Sequence, residues 1–179
     1  FVDMLWTMAN YNSGPIAIRY PRGAGTGAKP KASPRLLEIG KAQVVQHGKD
    51  VAIFGLGNMF EMAQEAAQKL EAQGFSVALI NPRWIKPLDT GTLEFFARSV
   101  QVLCTIEDHV LHNGFGCGVI EHLHTQMINT PVVRIGWPDQ FIEHGNIPVL
   151  RQKHGLTSDA LLEKVLPLLK KPAEKARPT

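Results

Sequence analysis

From Ile39 onward, short apolar strands alternate regularly with amphipathic helices, and this pattern sharply limits the folds that the chain can adopt. The clearest strand contains the uninterrupted run Val77-Ala78-Leu79-Ile80, which is typical of a strand covered on both faces in a parallel sheet. The helix before it, over residues 58–73, has apolar residues at helical spacing and is followed by Gly74, a common helix-ending residue. The full order, β-β-α-β-α-β-α-β-α, predicts a three-layer α/β domain with a mostly parallel sheet.

The first two strands are predicted over residues 41–46 and 51–56. Four residues that include Gly48 separate them, which favours a hairpin and would supply one antiparallel strand. Further strands are predicted over residues 75–81, 100–106 and 132–135. The residues predicted to cap helices are Asn58, Asp89, Asn146 and Ser158. The helix over 114–127 should turn Val119, Leu123 and Met127 inward, and Pro167 should kink or end the last helix.

The first part of the chain cannot fold by itself. Residues 1–10 place Leu5, Met8 and Ala9 at helical spacing, and residues 16–20 form a predicted strand that Pro21 stops. Such a unit needs a sheet that the sequence does not supply. We therefore expect the tail of a preceding domain over 1–23, a Gly/Pro-rich linker over 24–38, the α/β domain over 39–171 and a disordered tail over 172–179.

Composition excludes several classes of function. The net charge of +3 is small and not gathered into one basic cluster, so nucleic-acid binding is not expected. No apolar run approaches the roughly 18 residues that a membrane span requires. Cys104 and Cys117 do not make a disulfide framework, which fits a reducing compartment. Because Phe1 is not an initiator methionine and no signal peptide follows it, we expect the chain to begin in mid-protein.

Gly55-Leu56-Gly57 lies between a predicted strand and a predicted helix, where a dinucleotide-binding motif would lie. The third glycine of that motif should stand at position 60, which is Phe60, and phenylalanine blocks the close helix–strand packing that the motif needs. A tight turn is the favoured interpretation. A nucleotide-binding domain remains an alternative that titration with NAD can test.

A second candidate site follows the predicted strand that ends at residue 106. Its polar side chains are Glu107, Asp108, His109 and His112. The carboxyl ends of strands are where open α/β sheets bind ligands, and these groups could ligate a metal. However, no further ligand stands at a short fixed spacing, and His122 and His124 point to different faces of a helix. A polar loop that contacts another domain or subunit is favoured, and no metal ligand is assigned.

A third candidate is the adjacent pair Glu143 and His144, which could act as an acid and a base. The pair precedes Gly145 in a loop that begins near Trp137. Adjacent loop residues are weak evidence for such chemistry, so a structural loop that closes the sheet is favoured. No catalytic residue is assigned here.

The two arginines at the end of the first predicted strand have a clearer chemical meaning. Arg19 and Arg22 flank Tyr20 and Pro21, which restrict the backbone, and Gly23 permits an unusual turn. A guanidinium group offers a planar fork of donors that matches phosphate oxygens. This stretch therefore either holds an anionic substrate group or forms surface salt bridges, and the residues alone leave both open.

Several motifs resemble the 1-deoxy-D-xylulose-5-phosphate synthase family. They begin with the stretch Gly14-Pro-Ile-Ala-Ile-Arg-Tyr-Pro-Arg-Gly23 and extend to about residue 169. The others are Ile39-Gly-Lys41, Asn81-Pro-Arg-Trp-Ile-Lys-Pro-Leu-Asp89, Glu107-Asp-His-Val-Leu-His-Asn-Gly-Phe-Gly116, Gly136-Trp-Pro-Asp-Gln-Phe-Ile-Glu-His-Gly145 and Leu150-Arg-Gln-Lys-His-Gly-Leu-Thr157.

The resemblance implies a thiamin diphosphate- and Mg²⁺-dependent transferase. Such an enzyme joins a two-carbon unit from pyruvate to D-glyceraldehyde 3-phosphate, for isoprenoid, thiamin and pyridoxal biosynthesis. This chain would hold the end of the pyrimidine-binding domain and the whole transketolase-like C-terminal domain. Arg22 matches the family's arginine that contacts the substrate phosphate, and Arg19 receives no role. Cofactor ligands would lie upstream, so the chain alone should be inactive.

The resemblance further implies a homodimer in the cytoplasm of a bacterium, or in a plastid if the source is eukaryotic. Two other functions remain open. One is the C-terminal domain of a transketolase or of a 2-oxo acid dehydrogenase β subunit, which product analysis would separate. The other is a non-catalytic dimerisation or assembly domain, which light scattering would reveal.

Overall fold

The computed structural model describes residues 1–21, 27, 29 and 31–170. Its centre is a five-stranded sheet with the order β1-β3-β2-β4-β5, in which β1 is antiparallel to β3 and all other pairs are parallel. The strands are β1 Gln43–Gln46, β2 Val51–Gly55, β3 Val77–Asn81, β4 Val102–Val110 and β5 Val132–Trp137. The predicted α/β class, with a mostly parallel sheet and one antiparallel strand, is confirmed.

Helices cover both faces of the sheet and make the three layers. They are α1 Val2–Ala9, α2 Phe60–Ala72, α3 Thr90–Ser99, α4 Phe115–Thr125, α5 Ile147–Lys153 and α6 Ser158–Val165. One face packs against α2 and α6 through an apolar core that includes Ile53, Leu70 and Leu161. The other packs against α3 and α4 through a core that includes Phe54, Phe96 and Val119. Burial on both faces explains why β2 and β3 are almost uniformly apolar.

The predicted hairpin between the first two strands is wrong. β1 pairs with β3 instead, with Val44 opposite Ile80, so β3 lies between β1 and β2. The connecting loop crosses the start of β3, where the amide of Asp50 donates to the Ser76 carbonyl oxygen at 2.8 Å. Gly48 makes this crossing possible, because a Cβ there would overlap the main chain of Val77 and Ala78. The four-residue loop with its glycine therefore passes over the start of β3 and does not form a tight hairpin between β1 and β2.

Some helix boundaries follow their local signals. The Asp89 carboxylate accepts from the amide of Thr92 at 3.1 Å and caps α3, as predicted. Its other oxygen accepts from the amide of Ala42 at 2.9 Å and fastens the chain's entry into the domain. Gly74 adopts φ +89° after α2, in the left-handed conformation expected of a helix end. The last helix ends at Val165, ahead of Pro167, as predicted.

Other predicted caps and faces are wrong, each for a local reason. Asn58 does not cap α2, since a 3-10 turn over Gly57–Met59 precedes that helix and the Asn58 side chain bonds elsewhere. Thr157 rather than Ser158 caps α6, because the Ser158 hydroxyl donates to Glu65 instead. Met127 is largely exposed, because α4 ends two residues before it. Asn146 precedes α5 but makes no side-chain capping bond.

The N-terminal helix is confirmed, but its apolar face is not covered. Leu5, Trp6 and Met8 are exposed, whereas the buried residue of α1 is Thr7, whose hydroxyl accepts from the amide of Leu37 at 2.9 Å. The Asp3 carboxylate also accepts from the amide of Arg35 and the ammonium of Lys31. Helix α1 is therefore fastened to the 31–37 segment.

The strand predicted over residues 16–20 is not formed. The segment has no regular secondary structure, with Ile16 and Ile18 half-buried and Arg19 exposed, and no strand in the described part of the chain pairs with it. A strand needs a neighbouring strand to complete its backbone hydrogen bonds. The tail predicted over 172–179 lies outside the described residues.

Candidate functional site

The carboxyl ends of the parallel strands converge on a network centred on Asp108. In the sheet, β3 lies on one side of β2, whereas β4 and then β5 lie on its other side. The direction of the strand order therefore reverses between β2 and β4. Open α/β sheets bind ligands at such a point. Here Asp108, in β4, accepts from Asn58 Nδ2 at 2.6 Å, Trp137 Nε1 at 2.7 Å and Arg151 Nη2 at 3.0 Å. The protein's own side chains therefore bridge this part of the sheet edge.

The Asp108 carboxylate is held in its ionised form. Burial alone would raise its pKa, but the hydrogen bonds from Asn58 and Trp137 and the positive charge of Arg151 hold the pKa below its usual value. At neutral pH the network is thus a charged cluster that joins the 3-10 turn before α2 and the last turn of α5 to the carboxyl ends of β4 and β5. Such an arrangement fixes elements relative to one another, and it leaves Asp108 poorly placed to act as a general base.

Glu107 is fully buried at the N-terminus of α4. One carboxylate oxygen accepts from the amide of Phe115 at 2.6 Å and the other from the amide of Gly116 at 2.9 Å. Helix N-termini attract anions because their amides lack partners within the helix. The fit is close, since a Cβ at Gly114 would overlap the carboxylate and one at Gly136 would lie 3.2 Å from Glu107 Cγ. The position that an anionic ligand could take at α4 is thus filled by Glu107.

The predicted polar loop after residue 106 is a strand instead. Glu107, Asp108 and His109 lie within β4, and His112 lies in the turn that follows. His109 Nδ1 is 2.7 Å from the carbonyl oxygen of Val110. His122, on α4, bonds to Glu94 on α3 at 2.9 Å. Within residues 1–21, 27, 29 and 31–170, no group of three or more His, Cys, Asp or Glu could hold a metal ion.

Glu143 lies in the loop between β5 and α5 and contacts the carboxyl-terminal end of α5. Its carboxylate accepts from Lys153 Nζ, and His154 Nε2 lies 3.4 Å away. The hydrogen bond from Lys153 lowers the pKa of Glu143 to about 2. These contacts tie the loop to α5, which supports the structural interpretation of this stretch.

The Gly55-Leu56-Gly57 stretch forms a tight turn. A Cβ at Gly55 would lie 2.6 Å from the Cβ of Ala63, so this glycine allows α2 to pack closely on β2. Gly57 has φ +60°, a left-handed conformation that glycine adopts without strain. A 3-10 turn over Gly57–Met59 precedes the helix α2.

Arg22, the predicted phosphate contact, lies outside the described residues, so its role stays a prediction. Sequence reasoning missed the partnership of Trp137 and Arg151 with Asp108. Trp137 and Arg151 lie 29 and 43 residues away along the chain, and no spacing rule links residues at such distances. Both did occur in motifs that carry the family resemblance, and that was the one available signal.

The structure is a three-layer α/β domain. The polar side chains at the carboxyl ends of its strands mainly form hydrogen bonds with other parts of the same domain. The family model described as "Transketolase, C-terminal domain" matches residues 40–161. The chain belongs to the transketolase C-terminal domain family. None of the helices in the described parts of the chain is long and apolar enough to cross a membrane.

Curated relatives confirm the resemblance seen in the sequence. The chain is 58% identical over 170 residues, 95% of its length, to the 1-deoxy-D-xylulose-5-phosphate synthase of Methylacidiphilum infernorum. It is 48% identical over 171 residues, 96% of its length, to the protein of that name from Acidobacterium capsulatum. In both cases the chain spans 27% of the relative's length.

A solved structure shares the fold. It is described as a split-gene transketolase in an inactive β4 tetramer, and it matches with a TM-score of 0.69 and 35% sequence identity. The match covers 79% of this chain and 48% of that chain.

Proposed function

We propose that the chain is the C-terminal part of a thiamin diphosphate-dependent transferase that makes 1-deoxy-D-xylulose 5-phosphate from pyruvate and D-glyceraldehyde 3-phosphate. The observation that carries this proposal is the 58% identity, over 95% of the chain, to a synthase of that name. The product would serve isoprenoid, thiamin and pyridoxal biosynthesis. The enzyme would be a homodimer of the bacterial cytoplasm, or of a plastid if the source is eukaryotic.

In this proposal the remaining three quarters of the enzyme bind thiamin diphosphate and Mg²⁺. Two features of the described residues support a dependence on further protein. The 16–20 segment, predicted as a strand, pairs with no strand of the described residues, and α1 exposes Leu5, Trp6 and Met8. The carboxylates of the buried Glu107 and the half-buried Asp108 are occupied by bonds within the domain. In this proposal the C-terminal domain supports the catalytic part, and Arg22, in the tail of the pyrimidine-binding domain, would contact the substrate phosphate.

The chain alone is expected to be inactive, since the groups that activate the cofactor would lie upstream. The purified chain is mixed with pyruvate, D-glyceraldehyde 3-phosphate, thiamin diphosphate and Mg²⁺, and product is measured by mass spectrometry. The positive control is a fused enzyme, in which this chain replaces the matching C-terminal part of the Methylacidiphilum infernorum relative. Turnover by the chain alone would contradict the expected inactivity, and an inactive fused enzyme would contradict the proposed function.

Replacing Arg22 with alanine in the fused enzyme is expected to weaken binding of D-glyceraldehyde 3-phosphate. A charge-assisted hydrogen bond contributes about 1.5–3 kcal/mol, which corresponds to a roughly 10- to 150-fold rise in KM for this substrate. The KM for pyruvate should change little, because pyruvate carries no phosphate.

Arg19→Ala is the matched control, because Arg19 is exposed and lies three residues from Arg22. It should change both Michaelis constants by less than threefold. Equal rises in the two constants for Arg22→Ala would contradict the phosphate role.

A transketolase is the second candidate, because the 35% identical solved structure is described as one. Its inactive β4 assembly also agrees with the inactivity proposed for this chain alone. Product analysis of the fused enzyme decides between the two, since a transketolase moves a ketol unit between sugar phosphates and releases no CO₂ from pyruvate.

A further inference from the structure

The loop over residues 138–146, between β5 and α5, presents apolar surface at the carboxyl end of the sheet. Residues 137–142 and Val110 line a depression of about 510 Å³. Apart from Asp139 and Gln140, this lining is aromatic or aliphatic, and the Phe141 side chain is fully exposed. A fully exposed phenylalanine is costly in water and is typical of an interaction surface when it stands beside other apolar groups.

This loop is held in place from both sides. Glu143 binds Lys153 and lies 3.4 Å from His154, at the end of α5. Trp137, where the loop begins, donates to Asp108 and packs its ring edge-on against His154, with ring centroids 5.8 Å apart. Phe141 therefore projects from a preformed loop, and an interface on it would need little ordering of the backbone.

The N-terminal part of the chain approaches the same end of the sheet. Because β1 is antiparallel to β3, its first residue, Gln43, lies opposite Asn81 at the carboxyl end of β3. Gly40 packs there against Pro87. The strand β1 is at one edge of the sheet and β5 is at the other. At the usual strand spacing, the start of β1 and the end of β5 therefore lie about 19 Å apart. A protein domain joined to the N-terminal part can easily span that distance.

We propose that the 138–146 loop, with Phe141 as its anchor, docks onto the catalytic remainder of the enzyme through an apolar contact. This inference rests on the proposed function, because the curated relatives hold about three quarters of their length outside the matched region. A second copy of this chain fits less well. The nine residues of the loop fall well short of the roughly 20–30 residues a side of a standard interface, so a separate copy held by the loop alone would bind weakly, whereas a domain joined to the same chain is already held close to the loop.

Hydrogen exchange tests this docking directly. The backbone amides of residues 139–142 are compared in this chain alone and in the fused enzyme with the Methylacidiphilum infernorum remainder. Exchange should be at least tenfold slower in the fused enzyme, because docking excludes water from the loop. Phe141→Ser should restore most of the rate seen in the chain alone. Phe95→Ser is the matched control, since Phe95 is exposed on α3, and it should leave the protection intact.

The outcomes separate this inference from the proposed function. An active fused enzyme with unprotected residues 139–142 overturns the docking alone. An inactive fused enzyme with protected residues overturns the proposed activity and supports the docking. If residues 139–142 of the chain alone become protected from exchange as its concentration rises, the loop contacts a second copy of the chain. That result overturns docking onto the catalytic remainder. Sedimentation of Phe141→Ser and wild type confirms that both remain folded and of equal mass.

Discussion

Replacing Gly48 with alanine is expected to destabilise the domain by about 3 kcal/mol. A Cβ at this position would overlap the carbonyl carbon of Val77 and the amide nitrogen of Ala78. Both are main-chain atoms of β3 in the middle of the sheet, so neither can rotate away as a side chain could. Relief therefore requires the crossing loop to lift off β3, with loss of the bonds from Lys49 and Asp50 to the Ser76 carbonyl oxygen.

Urea denaturation of Gly48→Ala and wild type measures this effect. Gly118→Ala is the control, because a Cβ at Gly118, in the interior of α4, meets no atom within 4 Å. Glycine in a helix costs roughly 0.5–1 kcal/mol relative to alanine, so this control should be neutral or stabilising. If Gly48→Ala lost less than 1 kcal/mol, the loop would have room that the structure does not show.

Replacing Glu107 with alanine is expected to cost about 3 kcal/mol of stability. The change removes the acceptor for two buried amides, those of Phe115 and Gly116, and nothing in the neighbourhood replaces it. It also removes a negative charge from the N-terminus of α4, where the helix dipole favours one. Replacing a buried charge can be harmless when its partners are replaced with it, but here the partners are backbone groups that remain.

Glu107→Gln is the informative comparison. It preserves shape and one acceptor oxygen but places an NH₂ group against one of the amides, so it should lose roughly half as much stability as Glu107→Ala. Thermal unfolding followed by circular dichroism gives the order wild type, glutamine, alanine. Equal stability of alanine and wild type would mean that the α4 amides find another acceptor.

Much of the fold follows from local sequence patterns. The run Val77–Ile80 indicated a strand covered on both faces, and the structure buries all four residues between two helical layers. Asp89 and Gly74 marked helix ends correctly, because a cap and a left-handed residue act within a few residues of themselves. These signals need no information about the rest of the chain.

Features that depend on distant contacts could not be predicted in this way. The partner of β1 is set by the packing of Gly48 on β3, which no hairpin rule contains. Asn58 resembled a cap, yet its side chain binds Asp108 fifty residues away. The strand β4 continues through Glu107 because α4 supplies two amides to a buried carboxylate, whereas an isolated carboxylate normally ends a buried strand. The role of Arg22 rests on family resemblance and stays a prediction.

Residues 40–42, where the chain enters the α/β domain, are held by contacts that oppose bending at this point. Ala42 is bonded to Asp89, and Gly40 is pressed against Pro87, so rotation at residues 40–42 would break both contacts. Burial would raise the pKa of Asp89, but hydrogen bonds from Ala42 and Thr92 hold it below its usual value, so the Asp89 carboxylate stays charged at neutral pH. Residues from Gly40 onward are therefore expected to move with the α/β domain, and any bending relative to a preceding domain would have to occur ahead of Gly40.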